Sequence, residues 1–468
     1  MAPHGVSMQY VSTRGGVQGL SFCDAVMMGL ADDGGLLVPE TIPNVSKDLP
    51  QLAGKGYLDL AAYVMGQFID DIPKAELRSI IERSYETFGD SAVTPLVEVG
   101  DIHVLELFHG PTLAFKDVAL QFLGNVFEYV LNKKGGRLNI LGATSGDTGS
   151  AAIAGVRGKQ NINIFIMFPE GRTSPLQEKQ MTTVLDDNVQ NLAIEGSFDD
   201  CQLILKTIFN DLRFKDAYDL GAVNSVNWAR ILAQVVYYFS TYVQLGLPER
   251  FQVAVPTGNF GNIFAGYIAR RMGLPIDTLI LATNQNDILH RFFTTGRYER
   301  GEVYFSHSPA MDIQVASNFE RYLYYEFGQE PEKVKEFMND FSNTGLATTS
   351  LNTLNVDAAF MSGRVSDEDT VATIARIYEE TAYILDPHTA VGAEIGRLKR
   401  RPKVPLVCLA TAHPSKFDEV IRQVIPDIDV SHPTLELLKD LPERKTLLNG
   451  EVSVVKDFIS TFNDQLNS

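Results

Sequence analysis

The sequence predicts an α/β protein: a mainly parallel sheet covered by helices, preceded by a mostly helical N-terminal domain. Three observations carry the prediction. Up to about residue 92, apolar residues recur at helical spacing, most clearly in 57–69 (YLDLAAYVMGQFI) and 74–88 (KAELRSIIERSYETF). From about residue 94, short β-branched runs alternate with helical segments, the pattern of strand–loop–helix units. Several of those runs, such as INIFIMF (162–168) and VPLVCLAT (404–411), are almost continuously apolar, as strands buried on both faces require.

In chain order, QYVS (9–12) suits a short strand, SFCDAVMMGL (21–30) a helix and DDGG (32–35) a turn. The two amphipathic helices follow, and the N-terminal domain (1–92) ends there. LNILG (138–142) leads into a glycine-rich loop and a helix of small residues. INIFIMF precedes a helix around 175–185, and VQNLAI (189–194) one at 199–213. FQVAVP (251–256) runs into a second glycine loop and a helix from 262. DTLILAT (277–283) precedes NQNDILHRF, and VPLVCLAT is the last apolar strand. Helices are also expected at 331–341 and 368–381, inside a stretch (300–385) read as an insertion beside the site. In sheets of this kind ligands collect beyond the carboxyl ends of the strands, so the loops after the apolar runs are the places to search.

A length of 468 residues suggests two or three domains. The formal net charge of −18 disfavours nucleic acid and anionic membranes as partners. A phosphate would have to be held in a local pocket of amides and a few cations. The three cysteines, Cys23, Cys201 and Cys408, are too scattered for a metal site and suit buried, reduced thiols in a cytoplasmic protein. No apolar run has the length of a membrane span, and no signal peptide is visible at the N-terminus. Met8 offers an alternative start.

Four loops carry chemistry. In His109–Asp117 (HGPTLAFKD), Lys116 follows Leu-Ala-Phe at a helix start. Burial and a helix N-terminus both disfavour the ammonium and free the amine to attack an aldehyde. The competing reading is a packed lysine paired with Asp117. Pro256–Asn262 (PTGNFGN) puts two glycines at a strand-to-helix junction, an amide nest suited to phosphate. It is neither the dinucleotide fingerprint nor a P-loop, and a plain tight turn remains open. Gly142–Gly149 (GATSGDTG) offers hydroxyls and amides that could take a carboxylate or phosphate, or simply a helix start capped by Ser145, Asp147 or Thr148. In Thr411–Phe417 (TAHPSKF), a hydroxyl at a strand's end can meet a ring nitrogen, or the strand simply ends. A fifth stretch, Asn224–Arg230 (NSVNWAR), sets Arg230 near Asn224, Ser225 and Asn227; it is either a phosphate clamp or a surface arginine.

The combination is far more specific than its parts. HGPTLAFKD (109–117), TSGDTG (144–149), NSVNWAR (224–230), PTGNFGN (256–262) and ATAHPSKF (410–417), in this order, resemble the motifs of the threonine synthase family, pyridoxal 5'-phosphate enzymes of the tryptophan-synthase β fold type. YVSTRG (10–15) and LADDGGLLVPE (30–40) resemble the extra N-terminal domain of its bacterial and fungal branch. The resemblance covers nearly the whole chain. It implies fold type II, with two mainly parallel open sheets forming two lobes within 93–468, the smaller at about 118–215. It implies pyridoxal 5'-phosphate carried on Lys116, its phosphate cradled by Gly258, Asn259, Phe260, Gly261 and Asn262, and its ring nitrogen met by Thr411. Thr144, Ser145, Asp147 and Thr148 would contact the substrate's amino-acid end, and Asn224, Ser225 and Arg230 its phosphate; no metal is implied.

The activity so implied is conversion of O-phosphohomoserine and water to L-threonine and phosphate, with Lys116 as the proton carrier, in a cytoplasmic monomer or homodimer. Sister activities of the fold are the nearest rivals. A dehydratase would leave Arg230 without a task; a phosphate-removing lyase would differ only in yielding a keto acid. A non-catalytic cofactor-binding protein would not need Lys116. A nucleotide-dependent oxidoreductase would need a glycine fingerprint that is absent.

Overall fold

The computed structural model describes residues 7–144, 146–349 and 360–467. Two sheets organise it. The larger has six strands in the order Phe360–Arg364, Ile276–Thr283, Phe251–Pro256, Leu406–Ala410, Ile102–Glu106 and Leu96–Val99, parallel except for the last, hairpin pair. The smaller has five parallel strands in the order Thr446–Asn449, Val189–Glu195, Ile162–Pro169, Leu138–Ala143 and Leu220–Gly221. Every position of Phe251–Pro256 and Ile162–Pro169 is buried, which accounts for their unbroken apolar character.

The N-terminal region pairs Tyr10–Ser12 with Leu37–Pro39 in antiparallel fashion and supplies helices Phe22–Met28, Tyr57–Met65 and Lys74–Tyr85. The last two pack on helices Trp228–Gln244 and Lys116–Lys134. Trp228–Gln244 is buried through its first fifteen residues and joins the N-terminal region to the cores of both sheets. Helix Lys116–Lys134 crosses Asp147–Val156 with almost no separation. A Cβ on Gly124 would lie 1.9 Å from the carbonyl oxygen of Gly155, and one on Gly155 would lie 2.5 Å from that of Leu120. Only glycine fits either position.

The expected helices are present, mostly shorter at their ends. The segment at 57–69 stops at Met65, before Gly66, and the one at 199–213 breaks at Asp211 into Phe198–Asn210 and Leu212–Ala217. The lobe expected over about 118–215 runs on through Leu220–Gly221 and is completed by strand Thr446–Asn449 and helix Val452–Asn467. Half-exposed edge strands of two and four residues carry no long apolar run to read. Within 300–385, Phe360–Arg364 joins the edge of the larger sheet. Among the described residues no helix is long and apolar enough to cross a membrane, and all three cysteines are buried and free.

Candidate active site

Strands Ile102–Glu106, Leu406–Ala410 and Phe251–Pro256 are parallel neighbours, so the loops that follow them emerge side by side. The first two loops are stitched together. Leu107 N–H donates to Ala410 O at 3.0 Å, Phe115 N–H to Thr411 O at 2.9 Å and His413 N–H to Leu113 O at 3.0 Å. Lys116 is thereby held next to Thr411. Gly110 lets the loop close, since a Cβ there would lie 2.4 Å from that of Asp117.

Lys116 opens its helix and is partly buried; among the described residues its amine makes no hydrogen bond or ion pair. Burial holds its affinity for a proton below that of an ordinary lysine. Lys416 and Arg230 push the same way, and Asp147 and Asp117 oppose. The alternative Lys116–Asp117 pair does not form. The Asp117 carboxylate accepts from Thr112 N–H at 2.8 Å and from the Thr112 hydroxyl at 2.6 Å, and burial raises its pKa to about 6.

The glycine loop runs from Pro256 to the helix Gly261–Arg271. Phe260 takes the left-handed conformation, φ 65°, that turns the chain into the helix. The first intrahelical bond begins only at Phe264 N–H, so the amides of the first turn have no helical partner. The loop is pinned from outside: Asn259 O accepts from Asn318 N–H at 3.0 Å and from Asn318 Nδ2 at 3.2 Å. The Asn262 amide oxygen accepts from the Tyr237 hydroxyl, whereas Asn262 Nδ2 is buried without a partner among the described residues. Gly258 packs against Ala310, whose oxygen would lie 2.7 Å from a Cβ.

The loop at 142–149 faces the same region from the smaller sheet. Thr144 Oγ1 accepts from Gly146 N–H at 3.0 Å and Gly149 N–H at 3.1 Å and donates to Gly146 O at 2.9 Å, so its hydroxyl holds the loop. Asp147 is ion-paired to Lys416 at 2.6 Å and accepts from Gln177 Nε2 at 2.9 Å. The two lysines, Lys416 and Lys116, hold its carboxyl far below the usual range against the opposing effect of burial, which is the largest single influence. Thr148 is half-buried and its hydroxyl is unengaged among the described residues. Ser145 lies outside the described residues.

Arg230 is buried and has no acidic partner among the described residues; Nη1 donates to Asn224 O at 2.6 Å and Nε is unpaired. Burial alone lowers its pKa to about 10. Ser225 shares a hydrogen bond with Ser317 Oγ at 2.7 Å. An uncompensated buried guanidinium is costly, and its retention points to an anionic ligand.

Several supports escaped the sequence reading. Lys416 sits inside ATAHPSKF, where Thr411 is the one residue expected to contact a ligand; its amine donates to Thr112 O at 2.8 Å as well as pairing with Asp147. Asn318 and Arg321 tie the 224–230 and 256–262 loops to Leu37, through Asn318 Nδ2 on Ser225 O at 3.1 Å and Arg321 Nη2 on Leu37 O at 2.9 Å. They lie in no recognisable motif.

The chain matches three family models. They are described as threonine synthase N terminus (residues 9–85), pyridoxal-phosphate dependent enzyme (91–406) and threonine synthase, C-terminal (389–459). It is 48% identical to the threonine synthase of Pseudomonas aeruginosa, over 97% of this chain and 98% of that one. It is 46% identical to that of Schizosaccharomyces pombe over 88% of each. A solved structure of pyridoxal-phosphate-bound threonine synthase from Brucella melitensis superposes with a TM-score of 0.95 at 46% identity, covering 97% of this chain and 99% of that one. Threonine synthase from yeast gives 0.94 at 43%, covering 98% and 99%.

Proposed function

Because the chain belongs to the threonine synthase family, we propose that it converts O-phosphohomoserine and water to L-threonine and phosphate, the last step of threonine biosynthesis, with pyridoxal 5'-phosphate held at Lys116. The observation that carries the reading is a pair of groups in one electrostatic environment that are uncompensated among the described residues: an unbonded lysine amine and a buried arginine without an acid.

The residues fit the cofactor. The unengaged Lys116 amine suits its aldehyde. The free first-turn amides after Phe260, with the unpaired Asn262 Nδ2, suit its phosphate. Gly258, Asn259 and Gly261 complete the cradle, and the hydroxyl of the buried Thr411, unengaged among the described residues, suits the ring nitrogen. When bound, the cofactor supplies an electron sink for the carbons that lose protons.

The protein's own residues do the rest. Lys116, with its lowered proton affinity, is the base that takes the α-proton and then a β-proton, and the acid that delivers protons to the γ-carbon once phosphate has left and to the α-carbon once water has added at the β-carbon. Arg230, with Asn224 and Ser225, binds the substrate phosphate and stabilises its charge as it departs from the γ-carbon; a guanidinium suits that ion because it can bond two oxygens at once. Thr148, Ser145 and the amides that Thr144 holds in place bind the amino-acid carboxylate, on a loop that Asp147 anchors to Lys416. Sites for the carboxylate and the phosphate then lie on different lobes, so closure brings the reacting centre together and excludes water other than the reactant.

The test is to add O-phosphohomoserine to the purified protein and follow the cofactor's visible spectrum, phosphate release and the organic product together. Equal phosphate and threonine with a spectral change support the reading. Phosphate with a keto acid would leave the fold and cofactor in place and reject the water-addition step. No spectral response and no phosphate would reject the assignment.

A further inference from the structure

A fully buried cluster at the start of helix Pro387–Lys399 has no role in the chemistry above. Asp386, His388 and Thr389 are 1%, 4% and 1% exposed. Asp386 caps the helix in the ordinary way, accepting from His388 N–H at 2.9 Å and Thr389 N–H at 3.4 Å. Two further donors converge on it: His388 Nδ1 at 3.0 Å and the Thr389 hydroxyl. These exceed what a cap requires, and each fixes a second group beyond it.

The first is Thr411. A carboxylate only accepts, so the Thr389 hydroxyl proton points at Asp386 and its lone pairs are left free. One accepts from Thr411 N–H at 3.2 Å. Thr411 O is already held by Phe115 N–H at 2.9 Å, so both backbone groups of Thr411 are fixed and only its side chain is left for a ligand. The second is Ala310. Donation from Nδ1 to Asp386 leaves Nε2 of a neutral imidazole as an acceptor, and Ala310 N–H donates to it at 3.2 Å. Ala310 in turn fills the space where a side chain on Gly258 would stand.

We propose that Asp386, acting through Thr389 and His388, is a positioning residue that sets the two ends of the cofactor cradle against each other, Thr411 at the ring-nitrogen end and Gly258 at the phosphate end. The inference rests on the reading of those two residues as cofactor contacts. Because one carboxylate orients both, the two ends respond separately to substitution of its two partners and jointly to substitution of Asp386 itself.

The test strips the cofactor from the holoenzyme and measures equilibrium binding of pyridoxal 5'-phosphate and of phosphate-free pyridoxal to the apoprotein. His388→Leu removes the acceptor of the part-buried Ala310 N–H and frees the segment that abuts Gly258, and is expected to weaken pyridoxal 5'-phosphate about tenfold while changing pyridoxal by less than about threefold. Thr389→Val is expected to weaken both compounds by about the same factor. His388→Gln, whose amide oxygen can accept from Ala310 N–H, is expected to recover most of the preference for the phosphorylated form and so separates hydrogen bonding from a general loss of fold. Parallel losses for both compounds in His388→Leu, a glutamine no better than leucine, or unchanged binding in Thr389→Val would each overturn the proposal. Wild-type protein that binds neither compound would instead remove the functional reading itself, and the proposal with it.

Discussion

The Lys416 amine lies 2.6 Å from the Asp147 carboxylate, and this buried pair joins the short turn Pro414–Phe417, beyond the central strand Leu406–Ala410 of the larger sheet, to the first turn of a helix on the smaller one. The Lys416 side chain is fully buried and that of Asp147 nearly so. Removing one partner strands a charge. Lys416→Met is therefore expected to cost about 3–5 kcal/mol in urea unfolding, and the double variant Lys416→Met with Asp147→Asn to recover a large part of that loss. A double variant no more stable than the single one would show that packing, not charge, dominates at this contact.

The same pair sets a pH dependence. The folded-state pKa of Asp147 is depressed below that of the unfolded chain. Its contribution to stability is present above the unfolded value of about 4 and is lost as pH falls through and below that range. Unfolding midpoints of the wild type and Asp147→Asn should differ most near neutrality and converge in acid.

Asp117 has the opposite sign. Burial raises its carboxyl to about 6, above its unfolded value, despite the two bonds from Thr112. The native state then binds a proton between about pH 4 and 6 that the unfolded state does not, so this group's contribution falls as pH rises through that window, by about 2–3 kcal/mol in all. Asp117→Asn should flatten the stability profile between pH 4 and 6. An unchanged slope in that range would reject the assignment of the raised group.

Lys116→Ala should abolish turnover and remove the covalent adduct that borohydride reduction traps on the wild type. The variant should still fold, because among the described residues the amine makes no bond whose loss would be felt. A trapped adduct that persists in Lys116→Ala would move the attachment point to another lysine, with Lys416 the nearest candidate by charge environment.

Much of this was legible because the candidate site residues sit in strand-to-helix loops whose composition is unusual: glycines where amides must be exposed, a lysine after Leu-Ala-Phe, an arginine after NSVNWA. What was not legible falls into two physical kinds. Short edge elements such as Leu220–Gly221 and Thr446–Asn449 are two and four residues long, too short to leave a periodicity. Supporting polar residues are defined by long-range partners: Asn318 is recognisable only once Ser225 O and Asn259 O stand beside it, 93 and 59 positions away. Thr144 shows the converse. Its hydroxyl invited a substrate role, whereas its three bonds hold the loop.

Arg230 links stability and function most directly. In the absence of an anion it is a buried cation with an unpaired Nε and a pKa lowered to about 10 by burial, which is a cost to the folded state. Arg230→Met should therefore raise the unfolding free energy of the ligand-free protein by about 1–3 kcal/mol if the side chain packs well. The same change removes the buried cation that bonds Asn224 O, so the KM for a phosphorylated substrate should rise by about 10–100-fold, and inorganic phosphate should no longer stabilise the protein against heat. Arg230→Lys should recover little of this, because an ammonium cannot bond two oxygens in one plane. A variant that is both less stable and unaltered in KM would mean the guanidinium is held for packing, and that the substrate's phosphate is bound elsewhere.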